Sequence, residues 1–116
     1  MSIVGFSIPK DRLIVLSSKA QDYLSLDDAI TGIMRHLNAD WGSIDESDKV
    51  MNDYNLSKKG TLISQYQSDG GVKFWVITEA GHGKTVVLLP DEYGADDVGD
   101  RAGYVLHGTS TPTTNA

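Results

Sequence analysis

The sequence predicts an α+β domain: an antiparallel β-meander of three to four strands packed on two or three helices. Three observations carry that expectation. Leu26, Ile30, Ile33 and Leu37 fall at i, i+4, i+7 and i+11, the spacing of one apolar helical face. The stretch 61–89 breaks into three strand-like runs separated by glycine-rich turns. The 116 residues, 40% hydrophobic and 22% charged, suit one domain with one core.

Residues 1–11 read as an N-terminal extension in which Ile3, Val4 and Phe6 could form a short edge strand. Positions 12–16 (RLIVL) are a continuous apolar run of strand length, expected to join the sheet. Ser17 or Ser18 can cap a short helix carrying Ala20, Tyr23 and Leu24. Ser25 opens a clearer helix over 26–38, with Asp28 placed almost as in a capping box. Its face of Ile30, Ile33 and Leu37 should pack on the sheet. Asp40-Trp41-Gly42 makes a loop, and Trp41 there either pins the loop to the core or anchors a partner.

Asp45 has the chemistry to cap a third helix, with Asp48 at its third position and only Val50, Met51 and Tyr54 as an apolar stripe. Lys58 and Lys59 suit the negative end of that helix, and Gly60 suits the residue just past it. The strands of the meander are expected at 61–67, 72–78 and 85–89, with a turn at Ser68-Asp69-Gly70-Gly71 and another at Ala80-Gly81-His82-Gly83. Leu62 and Tyr66 should share one face. Phe74 and Val76 should be buried, with Trp75 on the opposite side, either exposed or covered by a chain extension. The domain proper is thus 12–93. Residues 94–116 form an acidic, Gly/Thr-rich C-terminal tail, with a possible short strand at Tyr104, Val105 and Leu106 and nothing to bury from 109 onward.

Composition narrows the function. The absence of cysteine excludes disulfides, a thiolate nucleophile and thiolate metal sites. Neither a signal-peptide pattern nor an apolar run of about 18 residues is present, so a soluble cytoplasmic protein with no membrane association is expected. Ten bases face sixteen acids, for a net charge of −6. Phosphate binding rests on lysine and arginine, so direct nucleic-acid binding is disfavoured. The acidity serves solubility or a basic protein surface.

No catalytic or metal-binding set stands out, and no cofactor is expected. Gly83-Lys84-Thr85 resembles the end of a phosphate-binding loop, but position 78 is threonine where that loop needs glycine, and a β-branched run follows where it needs a helix. His36, His82 and His107 include no helical metal pair. His36, near a helix end, suits the dipole there. Glu79 and His82 could meet across the second turn as an acid–base pair, with Asp40 as a further carboxylate. Asp45, Glu46, Asp48 and Asp53 form an acidic cluster that fails the calcium-loop pattern, and Asp91, Glu92, Asp96, Asp97 and Asp100 form a second acidic run.

A family resemblance enters on several segments together. Asp40-Trp41-Gly42, then Asp45, Asp48, Asn52 and Asp53, then Leu62-Ile63-Ser64 with Tyr66, then Trp75 with Ile77-Thr78-Glu79-Ala80, then Leu88-Leu89-Pro90-Asp91-Glu92-Tyr93, resemble a family of small bacterial proteins borne on plasmids, phages and integrated elements. The resemblance spans about residues 12–93 and brings no established activity. Some similar proteins carry methylase-like or restriction-related names. This chain lacks a cofactor loop and an Asn/Asp-Pro-Pro-Tyr-type motif, and its Gly81-His82-Gly83-Lys84 turn departs from the Asp-Arg-Ser-type turn of similar proteins.

What the resemblance implies is a mobile-element protein acting on host machinery. The leading expectation is therefore a non-enzymatic, acidic protein-binding module, an inhibitor of a defence system of the anti-CRISPR or anti-restriction kind. Its partner would be a protein with a basic surface, met through Asp40, Trp41, Asp45, Glu46 and Asp48, or through Trp75. Two alternatives stand beside it: a small hydrolase or nuclease-like enzyme using Glu79 and His82, and a structural or regulatory homodimer pairing through a strand edge.

Overall fold

The computed structural model describes residues 13–93 and the strand 104–107. The expected N-terminal extension, and the tail apart from that strand, lie outside the described residues. The elements in chain order are β1 (Leu13–Leu16), α1 (Ser18–Tyr23), α2 (Leu26–Leu37), α3 (Glu46–Lys58), β2 (Leu62–Gln67), β3 (Lys73–Thr78), β4 (Lys84–Leu88) and β5 (Tyr104–His107), with a 3-10 turn at Pro90–Glu92. The α+β class holds. The sheet, however, is mixed, with strand order β2-β3-β4-β1-β5.

The meander is present as two antiparallel pairs, Leu62↔Thr78 to Gln67↔Lys73 and Trp75↔Leu88 to Thr78↔Thr85. β1 then lies parallel to β4, from Leu13↔Lys84 to Leu16↔Val87, and β5 runs antiparallel along its other side. The expectation of an antiparallel sheet needs that correction. A parallel pair requires a crossover of about a dozen residues or more, and the helices and strands between β1 and β4 supply one. The RLIVL run is apolar in either direction, so its pattern carries no sign of orientation.

Strand alternation gives the sheet two faces. Ile14, Leu16, Tyr66, Phe74, Val76 and Val87 point to one face and are buried with Ala20 and Leu24 of the α1 region and Ala29 and Ile33 of α2. Val15, Ile77, Val86 and Leu88 are buried on the other, beside Leu13, Ile63 and Trp75. Ser17 caps α1 by accepting from the Ala20 amide, and Ser25 caps α2 by accepting from the Asp28 amide.

α2 docks through part of the expected face, with Ile33 in the core and Leu37 packed against it. Ala29, Gly32, Met34 and His36 are buried as well, while Leu26 is 50% exposed and Ile30 is half-buried. The Phe74 ring explains the small residue at position 32. A Cβ on Gly32 would lie 2.6 Å from Phe74 Cε2, so only glycine lets the helix settle on that ring.

α3 packs differently. Asn52 is its buried residue, while Val50, Met51, Tyr54 and Leu56 are exposed. The helix lies against the outer edge of β2 and satisfies that edge with side-chain amides. Asn52 Nδ2 donates to the Ile63 carbonyl at 2.8 Å, and the Ile63 amide donates to Asn52 Oδ1 at 3.1 Å. Asn55 Nδ2 donates to the Thr61 carbonyl at 2.9 Å. One step along, the Gln65 amide donates to the Trp41 carbonyl and the Ser43 amide to the Gln65 carbonyl. Gly42 makes this approach possible, since a Cβ there would overlap the Gln65 carbonyl oxygen. The β2 edge is therefore occupied from Thr61 to Gln65.

Two terminal assignments of α3 also change. Asp45 stands at the cap position, but its side chain makes no capping bond. Lys59, not Gly60, takes the left-handed conformation at the C-terminus, with φ of 59°. Gly60 lies against the Asn55 side chain. No helix among the described residues is long and apolar enough to cross a membrane.

Candidate functional site

The loop after α2 is built around a buried tryptophan. Trp41 is 5% exposed, donates its indole N–H to Asp53 Oδ1 at 3.0 Å and meets the His36 ring edge-on at 5.5 Å. It pins the loop to the core and offers no exposed surface to anchor a partner. Asp40 is equally occupied. It accepts from Arg35 Nε at 2.7 Å and Nη2 at 3.1 Å, and from the Gly42 amide at 3.3 Å. The Arg35 hydrogen bond holds the Asp40 carboxyl below its ordinary range. The same guanidinium lies 4.6 Å over the Tyr66 ring, and the Tyr66 hydroxyl donates to the Asp40 carbonyl at 2.5 Å. Burial raises the Tyr66 hydroxyl, so it stays a protonated donor. Asp40 and Trp41 thus form the hinge that positions α3.

Under that hinge runs a polar chain that sequence reasoning missed. His36, 2% exposed, has Nδ1 2.6 Å from Ser64 Oγ and Nε2 2.8 Å from Thr78 Oγ1, and Thr78 Oγ1 is 2.7 Å from Thr85 Oγ1. The signal was present in the strands. Ser64, Thr78 and Thr85 occupy inward positions of β2, β3 and β4 at neighbouring levels, where alternation calls for apolar side chains. His36 stands three residues past Ile33, on the packed face of its helix. The chain is wholly enclosed, so it orders the core.

Of the residues of the enzyme alternative, Glu79 and His82 share the β3–β4 turn, where the His82 amide donates to the Glu79 carbonyl at 2.8 Å, and Asp40 stands apart from both. The Glu79 carboxylate pairs with Lys84 Nζ at 3.7 Å. His82, at φ of 61° and 8% exposed, has Nε2 2.8 Å from the Gly60 carbonyl. With the Gly81 amide on the Lys59 carbonyl at 2.7 Å, this ties the β3–β4 turn to the end of α3. Asp40 lies beside Gln65 and Tyr66, on the order of 15 Å away along β2 at a strand's rise per residue. Thr85 of the Gly-Lys-Thr run is buried in β4.

A different constellation does converge. Asp45, Asp48 and Trp75 line one hollow of about 310 Å³ with Ile63, Gln65 and Tyr93. The acidic start of α3 and the outer sheet face, expected as separate surfaces, are therefore one. Trp75 is half-buried, and its indole N–H donates to Gln65 Oε1 at 2.8 Å. Gln65 Nε2 in turn donates to the Ser43 carbonyl at 3.1 Å. Tyr93 meets Trp75 edge-on, with ring centroids 5.2 Å apart at 67°. The 3-10 turn carries Tyr93 there. Glu92 accepts from Ser17 Oγ at 2.6 Å and from the Leu89 amide at 2.8 Å, and Asp91 pairs with Lys19 at 2.7 Å. This part of the second acidic run is thus structural.

Asp45 and Asp48 are exposed, and among the described residues neither carboxylate makes a hydrogen bond or an ion pair. Glu46 is 3.5 Å from Lys49 and does not line the hollow. A second hollow of about 270 Å³ shares Ile44, Asp48 and Ile63 with the first and extends to Met51, Asn55 and Thr61. Among the described residues no group of three or more histidine, aspartate or glutamate side chains is placed to hold a metal ion.

Comparison with known proteins gives no matching family model, no matching curated protein and no matching solved structure.

Proposed function

We propose that this chain is a non-enzymatic protein-binding module that takes a basic segment of a partner protein into the groove between the start of α3 and the Trp75–Tyr93 pair. One observation carries the reading: two unpartnered carboxylates, Asp45 and Asp48, flank the same hollow as two aromatic rings. Aromatic anchors in a concavity with a charged rim are the usual composition of binding surfaces. The resemblance to plasmid- and phage-borne proteins extends the proposal to an inhibitor of a host defence system, whose basic surfaces an acidic partner complements.

The test begins with capture of partners from the native host at low salt. Association and dissociation rates of the captured protein are then measured on wild type and on a variant carrying Asp45→Lys, Glu46→Lys and Asp48→Lys. The expected result is association slowed at least tenfold with the fold retained and a small drop in melting temperature, since Glu46 loses only an exposed pair with Lys49 and the new lysines oppose the helix dipole. Asp45→Asn serves as a control that removes one charge and keeps a residue type suited to the cap position. An unchanged association rate in the triple variant would sink the reading.

A further inference from the structure

The hollow differs from a generic acidic patch in being built around one kind of side chain. Resting on the reading above, we infer that it is an arginine receptor, taking a single guanidinium between the Trp75–Tyr93 rings and the Asp45–Asp48 carboxylates.

The aromatic wall is fixed before any partner arrives. Trp75 is held through Gln65 to the Ser43 backbone, so its ring is oriented by a chain of hydrogen bonds. Tyr93 stands across it at 67°, giving two walls that are not coplanar. Ring faces attract cations, and a planar guanidinium also stacks on them. Asp45, at the cap position, and Asp48, in the first turn of α3, both border the hollow. A guanidinium presents five donors in a rigid fork that can reach both, whereas an ammonium is a compact, strongly hydrated point charge. Lysine is therefore the poorer fit.

The N-terminus of α3 opposes a cation, because it carries the positive end of the helix dipole. That end amounts to about half a positive charge. Two full negative charges at the same place outweigh it. Both are uncommitted, since Asp45 leaves its capping role unfilled. Among the described residues, no lysine or arginine lines either hollow to compete.

The second hollow adds the neighbour. It continues from Ile44 and Ile63 to Met51 and suits an apolar side chain next to the arginine. The outward amides and carbonyls of Ile63 and Gln65 are already bonded, so the segment docks through side chains and not as an added strand.

Three blocked hexapeptides test this: glycines flanking Arg-Leu, Lys-Leu or citrulline-Leu. They are titrated into the ¹⁵N-labelled full chain and read on the two tryptophan indole N–H signals, which Trp75→Phe distinguishes. The arginine peptide should move the Trp75 signal and leave that of Trp41 in place. The lysine peptide should bind roughly fivefold more weakly, and the uncharged citrulline peptide should give no saturable shift. Asp45→Asn with Asp48→Asn should abolish the arginine response, while Glu46→Gln should not change it. Equal affinity of the lysine and arginine peptides, lost in the double asparagine variant, overturns the arginine receptor and leaves the acidic groove standing. A Trp75 signal that no peptide moves also overturns the arginine receptor. A response that survives the double asparagine variant overturns both.

Discussion

His36 is held at both ring nitrogens, and both partners are hydroxyls inside the sheet. Thr78 is the central link, because its one hydroxyl meets His36 and Thr85 together. Thr78→Val keeps the branched shape and leaves a buried ring nitrogen facing a methyl group. That should cost about 1–3 kcal/mol in urea unfolding. Ser64→Ala combined with Thr78→Val should depart from additivity by about 0.5 kcal/mol or more, since both act through one ring; strict additivity would dissolve the network. Asp40 gives a pH signature. Its carboxyl is depressed by Arg35, so its contribution is present above the unfolded value of 3.8 and is lost as pH falls through the lower folded value. The pair is half exposed, so the stability gap between wild type and Asp40→Asn should be at most about 1 kcal/mol at pH 7 and should close in strong acid. A gap that persisted in strong acid would assign Asp40 some other role. At this scale the sequence was partly legible. Asp40 and Trp41 stood out by type, but only packing shows that both are spent on the loop. Asp45, Asp48 and Trp75 were legible as candidates, because exposed carboxylates and a strand-borne indole announce themselves. Their convergence was not, because it depends on α3 lying against the β2 edge, and α3 has almost no apolar face to reveal where it docks.

At the scale of elements, α3 works as a guard for β2. An edge strand offers unpaired amides and carbonyls to any passing strand. Here Asn52 copies the bonding of a neighbouring strand by giving one donor and one acceptor to Ile63. Asn52→Ala should uncover both groups, lower stability by about 1–3 kcal/mol and promote self-association through β2. Melting curves and light scattering after size exclusion read the two effects. A variant as stable and monomeric as wild type would mean the amide pair is incidental. The helix was legible from its acidic start and basic end, but its docking by polar side chains follows no periodicity. The meander was legible within a residue at each end, because alternation and glycine turns are local signals. The β1–β4 pairing joins residues such as Leu13 and Lys84, and no local pattern spans that separation. The α2 face was legible in part, at Ile33 and Leu37, but apolar size alone did not mark Ala29 and Gly32 as packed. In the fold, the Phe74 and Tyr66 rings fill that space and select glycine and alanine instead.

At the scale of the whole molecule, the proposed binding has two parts: the net charge of −6 would act on a partner before any contact forms, and the groove after it. The two contributions separate by salt and by position. Long-range attraction is screened as the Debye length falls from about 10 Å at 0.1 M to about 3 Å at 1 M ionic strength. Association with a basic partner should therefore slow steeply with salt, while dissociation, governed by the close contacts at Trp75 and Tyr93, should change much less. Asp22 and Asp27 provide the positional control. Both are exposed on the helices that cover the opposite sheet face, and neither lines the groove. Asp22→Lys with Asp27→Lys shifts the net charge by as much as Asp45→Lys with Asp48→Lys. It should slow association modestly and leave dissociation unchanged. The groove pair should slow association and speed dissociation together, because it removes both the steering field and the contacts. Stopped-flow association and surface-based dissociation at three salt concentrations measure both rates. Equal effects from the two charge-reversal pairs would reduce the interaction to net charge alone and remove any special role for the groove.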